Sequence, residues 1–242
     1  TRTRYIPSVD LGERFAAMLA SEYDTQGSGY HWGTAAEMRG EFWALGFSAS
    51  QRNAGDISIP GKAWTESYDE LENPRSFIPG VGIVELENPD GELANSFHER
   101  SSWSLGGRVG SEEGFSVGTS FQKVEQNYGI PYYFAGDATD LFGDLSIDAG
   151  LERGDLEMSN HFDPEAWFDD VKFRLGMGRY EHGEIFDGKS KDDGKRFKET
   201  AFDKHALEGR LEFYFGEDSD WSGVFGAQFN DDDLAIERVV VP

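Results

Sequence analysis

The segment Val171-Lys172-Phe173-Arg174-Leu175-Gly176-Met177-Gly178 decides the fold, because every odd residue is apolar and every even one is charged or glycine. A period of two marks a strand with one apolar and one polar face. The same pattern runs through Leu207-Glu208-Gly209-Arg210-Leu211-Glu212-Phe213 and Phe115-Ser116-Val117-Gly118-Thr119-Ser120-Phe121. It recurs in Trp103-Ser104-Leu105-Gly106-Gly107-Arg108-Val109 and in Leu145-Ser146-Ile147-Asp148-Ala149-Gly150-Leu151. Only Leu11 to Ala20 allows a helix, and Phe15, Ala17 and Leu19 on one face read it as a strand too.

Nine strands are expected, at 13–23, 30–39, 42–57, 94–109, 115–128, 144–160, 168–186, 198–215 and 221–233. Several exceed twice the roughly 5–6 residues usual in soluble proteins. Their connections alternate in length: tight turns at 39–41, 110–114, 161–167 and 216–220, longer links at 58–93, 129–143 and 187–197, with the first hairpin, turning at Asp24 to Gly29, the one short link on the long-link side. Up-and-down strands place such links on opposite ends, the pattern of an outer-membrane barrel with short periplasmic turns and long outer loops. Trp32, Trp43, Tyr128, Trp167, Phe168, Tyr180, Phe215 and Trp221 stand near strand ends, where aromatic girdles belong. The expected fold is therefore all-β, an antiparallel up-and-down transmembrane barrel or an incomplete part of one. A soluble β-sandwich is the alternative.

Composition narrows the function. Lys and Arg number 22 against 46 Asp and Glu, a formal charge of −24 in 242 residues. A nucleic-acid binder needs the opposite sign to displace counterions from phosphates, so nucleic acid is excluded as a partner. The 19 Phe, 9 Tyr and 6 Trp argue against disorder. Zero cysteines exclude disulfides, thiol catalysis and cysteine-ligated metals. A mean hydropathy of −0.58 is compatible with a barrel, since alternate residues of its strands face water. The 30 glycines are expected to space a polar inner face.

Several motifs taken together resemble the TonB-dependent outer-membrane receptors. They are Leu93-Ala94-Asn95-Ser96, Ser102-Trp103-Ser104-Leu105-Gly106, Gly114-Phe115-Ser116-Val117-Gly118 and Asn127-Tyr128-Gly129-Ile130-Pro131. Asp56-Ile57-Ser58-Ile59-Pro60-Gly61, Ala206 to Glu212 and Trp221 to Phe229 extend the likeness over most of the chain. The resemblance implies a barrel of about 22 strands around an N-terminal plug. Residues 1–242 then correspond to the N-terminal half of the barrel, and the plug and remaining strands are missing partners. It further implies Gram-negative outer-membrane lipid around the strands, a TonB-type protein acting through the plug, and uptake of a small-molecule or metal-complex cargo. The nearest subgroup takes up zinc and related metals, but its His-rich tract after the Tyr-Gly-Ile-Pro motif is lacking here.

No catalytic residues, resident metal or cofactor are expected; no H-E-x-x-H occurs. Tyr128, Tyr132, Tyr133 and Phe134 cluster where an outer loop leaves a strand, and two readings stay open: stacking on a ligand, or an upper girdle. His182 and Glu184 share a face near a strand end, with Asp187 in the loop beyond; they contribute to ligand capture or are simply hydrated. Asp187, Asp192 and the run Asp231-Asp232-Asp233 supply hard oxygens without a calcium-loop pattern. Acidic loops weakly favour cationic or metal-complexed cargo. Two alternatives remain: a soluble carbohydrate- or ligand-binding module using Tyr132, Tyr133 and Trp64, and a plug-less outer-membrane channel.

Overall fold

A computed structural model of the chain describes residues 5–9, 14–63, 75–78, 82–85, 88–111, 113–131, 144–162, 167–187, 196–216 and 220–238. Nine long strands form one antiparallel sheet. They are β1 (Phe15–Asp24), β2 (Gly29–Arg39), β3 (Trp43–Ala54), β8 (His98–Gly110), β9 (Phe115–Gly129), β10 (Asp144–His161), β11 (Asp170–Asp187), β12 (Arg196–Phe215) and β13 (Gly223–Arg238). Each pairs with the next in that order, and β1 and β13 are the edges. Between β3 and β8, read above as a link, lie two small two-stranded sheets: β4 (Ile57–Lys62) with β7 (Asp90–Leu93), and β5 (Arg75–Ile78) with β6 (Gly82–Glu85). These strands are too short, and too interrupted by Pro and Gly, to show a period.

Register places Val171, Phe173, Leu175, Leu207, Leu211 and Phe213, whose alternation predicts a common lipid-facing row, on one face, here called the belt. Val171, Phe173, Leu175 and Met177 of β11 stand opposite Phe213, Leu211, Gly209 and Leu207 of β12. Across β10 and β9 the same rows continue to Leu156, Met158, Val117 and Phe121, and across β8 and β3 to Leu105, Val109, Leu45 and Phe47. Phe15, Ala17 and Leu19 complete the band on β1. The band is uncovered: Leu105 is 55% exposed and Leu19 79%. Val171 to Met177 spans about 20 Å at about 3.4 Å per residue. Aromatic pairs tie its lower border together, with Phe213 stacked on Phe225 at 4.9 Å and Phe168 at 5.1 Å from Phe213. Each such pair contributes about 0.5–1.5 kcal/mol beyond area burial.

Two sequence expectations need correction. Leu145, Ile147, Ala149 and Leu151 do not share the belt face. Ile147 is paired with Glu184 and Leu151 with Tyr180, so this run lies on the opposite face from Leu156 and Leu175. The apolar side changes faces part-way along β10, because alternation shows which residues share a face, never which face it is. Above that level the belt side is polar, with Glu152, Arg179, Glu181 and Asp203. For the same reason Tyr128 and Tyr180 leave the girdle, since both project from the face opposite Trp32, Trp43 and Trp103.

The opposite face is held by ion pairs at belt level. Arg108 pairs with Glu157, which also accepts from Arg174 at 3.2 Å. Arg174 and Arg210, cross-strand neighbours, both donate to Glu212, at 2.9 and 2.5 Å. Arg153 joins Asp155 at 2.8 Å and pairs with Glu208. Glu212 and Asp155 are only 5% and 7% exposed, and each is paired with arginine, which offsets the cost of burying a charged group.

Residues Tyr5 to Val9 lie across this face. Arg108 Nε donates to Pro7 O at 3.0 Å, and Arg39 Nε to Ser8 O at 3.1 Å. The approach is close enough to require glycine beneath it. A Cβ on Gly106 would stand 2.2 Å from Tyr5 O, and one on Gly118 2.4 Å from Ile6 Cγ2. Gly106 makes room for the Tyr5 backbone and Gly118 for the Ile6 side chain; neither merely spaces a polar face. Gly106→Val is expected to expel Tyr5–Val9 and lower stability by about 1–3 kcal/mol, the cost of overpacking. Gly33→Ala, where a Cβ meets nothing nearer than 3.7 Å, is expected to be silent. Limited proteolysis at the N-terminus and chemical denaturation read both outcomes.

Candidate ligand-binding face

The end of the sheet that carries the long links and the short β1–β2 turn holds the candidate site, on the face opposite the belt. Two motif residues build its corner. Asn95, in the left-handed region at φ 56°, donates through Nδ2 to Ile130 O at 3.0 Å and Leu145 O at 2.8 Å. Asn tolerates this conformation, and its amide ties the ends of β9 and β10 to the approach to β8. Ser96 N donates to Asp56 Oδ1, and Ile57 N to Ser96 Oγ, both at 2.8 Å. The Asn-Ser motif is thus a clamp that fixes where Tyr128 and His98 stand.

From that corner the face divides in two. Over β9 to β12 it is apolar and aromatic: Val124, Ile147 and Ala149 are buried, flanked by Leu151, Tyr180 and Phe202. His182 lies within this half. Its Nδ1 is 3.0 Å from Tyr180 Oη, and its ring meets Phe202 edge-on at 5.2 Å. Glu184 stands two residues further along the same face, opposite Ile147. Tyr128 is next to His98, with ring centroids 6.2 Å apart. The structure therefore places Tyr128, His182 and Glu184 on one face, with Tyr128 and His182 on strands separated by β10. Asp187 ends β11, paired with Asp144 and Arg196; its side chain, like Tyr132, Tyr133 and Phe134, lies outside the described residues, as does Trp64. Among the described residues no three His, Asp or Glu are grouped to hold a metal ion.

Over β1 to β8 the face is polar and encloses a cavity of about 200 Å³. Glu22 and Asp24 of β1, His31 of β2, Ser50 and Arg52 of β3, and His98 and Arg100 of β8 line it. Sequence reasoning missed this group. Its histidines lack any spacing pattern, and residues from four strands meet only through register. The one available signal was parity, since Arg52 and Arg100 fall on the non-belt positions of their strands. Ser50 Oγ and Ser102 Oγ bond at 2.8 Å beneath the cavity and rigidify its floor.

Burial, followed by the positive charges of Arg52 and Arg100, holds His98 below the ordinary histidine pKa. Its Nδ1 is buried without a hydrogen-bond partner. On the outer side of the neighbouring strands, the hydrogen bond from Arg179 keeps the exposed Asp203 carboxyl below its usual range.

In comparison with known proteins, the chain matches no family model and no curated sequence.

The His98 shift has a definite sign. Because its folded pKa is depressed, the unfolded chain binds this proton more readily, so the stabilising contribution is present above the unfolded value near 6.5 and is lost as pH falls below it. The other groups facing it are Glu22, Asp24, His31, Arg52, Arg100 and Tyr128. Arg52→Gln removes one of the two positive charges and is expected to raise the His98 pKa, read from the imidazole C–H resonance against pH. An unchanged titration would show that the guanidinium does not act on the ring.

Proposed function

We propose that the chain is a stretch of a TonB-dependent outer-membrane receptor, taking up a scarce small cargo across a Gram-negative outer membrane without enzymatic chemistry. One observation carries the reading. A continuous, uncovered apolar band crosses all nine antiparallel strands on one face, while the other face at the same level is an ion-paired polar wall. A soluble sandwich requires a second sheet over that band. Among the described residues Phe47, Leu105, Val109 and Phe225 remain exposed. Hydrocarbon is the environment that suits such a band, whose height of about 20 Å along the strand approaches the roughly 25 Å of outer-membrane barrels.

Three further features fit. The band runs obliquely, from Phe225–Phe229 on β13 to Phe15–Leu19 on β1 two rows higher, as strands tilted in a membrane require. Aromatics mark its lower border beside the tight turns, where Trp167 and Trp221 are almost fully exposed. Tyr5–Val9 lies on the inner, polar face, which favours a receptor with an occupied interior over an open channel. Both sheet edges pair on one side only among the described residues, which fits the wall of a larger barrel. In this orientation the long links, the aromatic half-face and the polar cavity belong to the outer mouth. Outer loops and mouth capture cargo, and a TonB-type partner pulls on the plug to open the path.

The reading is tested by partition and uptake. The chain is expected to require detergent, and Leu175→Arg, near the middle of the band, is expected to cost about 2–4 kcal/mol in lipid vesicles. Cells lacking the protein are expected to lose an energy-dependent uptake that also vanishes without the TonB-type partner. A monomer stable in plain buffer overturns the membrane reading. Uptake that persists without energy overturns the receptor reading and favours a channel.

A further inference from the structure

Arg52 and Arg100 are direct cross-strand partners on the cavity face. Two guanidiniums so placed have Cβ atoms about 5 Å apart, and like charges directly opposite one another are destabilising. Elsewhere on this face the chain resolves that conflict. Arg174 and Arg210 are also direct partners, yet both hold the buried Glu212 between them. Arg39, Arg108 and Arg153 each hold a carboxylate as well. Only Arg52 and Arg100, among the strand arginines of this face whose side chains are described, have no ion pair or hydrogen bond with a described residue. Scarcity of acid is not the cause, for the chain has 46 Asp and Glu against 22 Lys and Arg.

The nearest carboxylates are accounted for. Asp24 Oδ1 accepts from Gln26 N at 2.9 Å, and Glu22 stands across His31, two strands from Arg52. Glu99 belongs to the other face, where it accepts from Asn53 at 2.9 Å. The positive charge is therefore open toward the cavity, and it adds to burial in lowering the basicity of His98. Its unpartnered Nδ1 adds a third polar group beside the pair.

We propose that Arg52 and Arg100 seat a small ligand carrying two negative charges on oxygen, a dicarboxylate or a phosphate. Each guanidinium is a planar fork that binds such oxygens two at a time, so a pair of forks matches a dianion where a single arginine matches one carboxylate. The cavity of about 200 Å³ admits a molecule of that size and no macromolecular segment. Glu22 and Asp24 form the far wall and repel larger polyanions that reach beyond the pair. The seat deepens the uptake reading, on which it rests only for the side from which ligand arrives. It locates an anion-selective spot in a strongly acidic chain, where net charge alone favours cationic cargo.

The test uses the full chain in detergent micelles at low ionic strength. Succinate, citrate and inorganic phosphate are titrated separately by calorimetry, and the His98 imidazole resonance is followed in the same samples. At least one probe is expected to bind and to raise the His98 pKa, because a bound dianion offsets the guanidinium charges. Arg52→Gln with Arg100→Gln is expected to weaken binding about tenfold or more, the scale of two charge-assisted contacts. Arg179→Gln, which removes the same charge from the outer face, is expected to leave affinity within about twofold. Binding of carboxylates alone or of phosphate alone assigns the anion and supports the seat. No binding by any probe overturns it, as does equal weakening in the Arg179 variant, which marks general charge attraction. Circular dichroism confirms that the double variant folds, and an unmoved His98 resonance in wild-type protein overturns the seat independently of that variant. Solubility without detergent would sink the membrane reading while leaving this measurement intact, so the two failures are distinguishable.

Discussion

The ladder between β10 and β11 sets the terms for everything else. It pairs Asp144 with Asp187 and runs unbroken to His161 with Asp170. Along such a length a slip of one residue would turn every side chain to the other face. If β10 slipped against β11, Leu156 would move to the ion-paired face and Glu157 to the apolar one. The cost of burying or stranding those groups is what holds the register. The one irregularity in the neighbouring ladder, between Glu184 and Ile185, lies at the far end, beyond both the band and the ion pairs.

From that register follow two surfaces whose polarity exchanges part-way up the strands. At band level, apolar residues occupy one face and paired charges the other. Above it, Glu152, Arg179 and Glu181 occupy the band's face while Ile147, Ala149 and Tyr180 lie on the opposite one. On that opposite face the apolar half and the arginine-lined cavity sit side by side, joined by the His98–Tyr128 contact. An apolar shelf beside a charged pocket is a common plan for small-molecule sites, where a few polar groups fix orientation.

Much of the architecture was legible in the sequence, for a simple reason. A strand's side chains alternate with period two wherever its faces differ in environment, so Val171 to Gly178 and Leu207 to Phe213 announce themselves without any neighbour. Strand β12 shows the limit of the method. Its alternation shows that Leu207, Leu211 and Phe213 share a face, but further up the aromatic Phe202 lies on the opposite face while Asp203 and His205 hold the band's positions. Tyr128 and Tyr180 failed as girdle residues for a related reason. Tyrosine is equally at home on an apolar border and beside polar groups, and only its parity against the band shows that it lies on the opposite face.

Sequence alone determined the strand class, the rough limits of the nine long strands, the tight turns and the face shared by the band, because each depends on contrasts between near neighbours in the chain. Tertiary structure decided which strands are adjacent, which face each polar run joins, and that Glu22, His31, Arg52, His98 and Arg100 line a single cavity. It also decided that Tyr5–Val9 crosses Gly106 and Gly118. These are relations between residues dozens of positions apart, fixed by backbone hydrogen bonds whose partners no local pattern names.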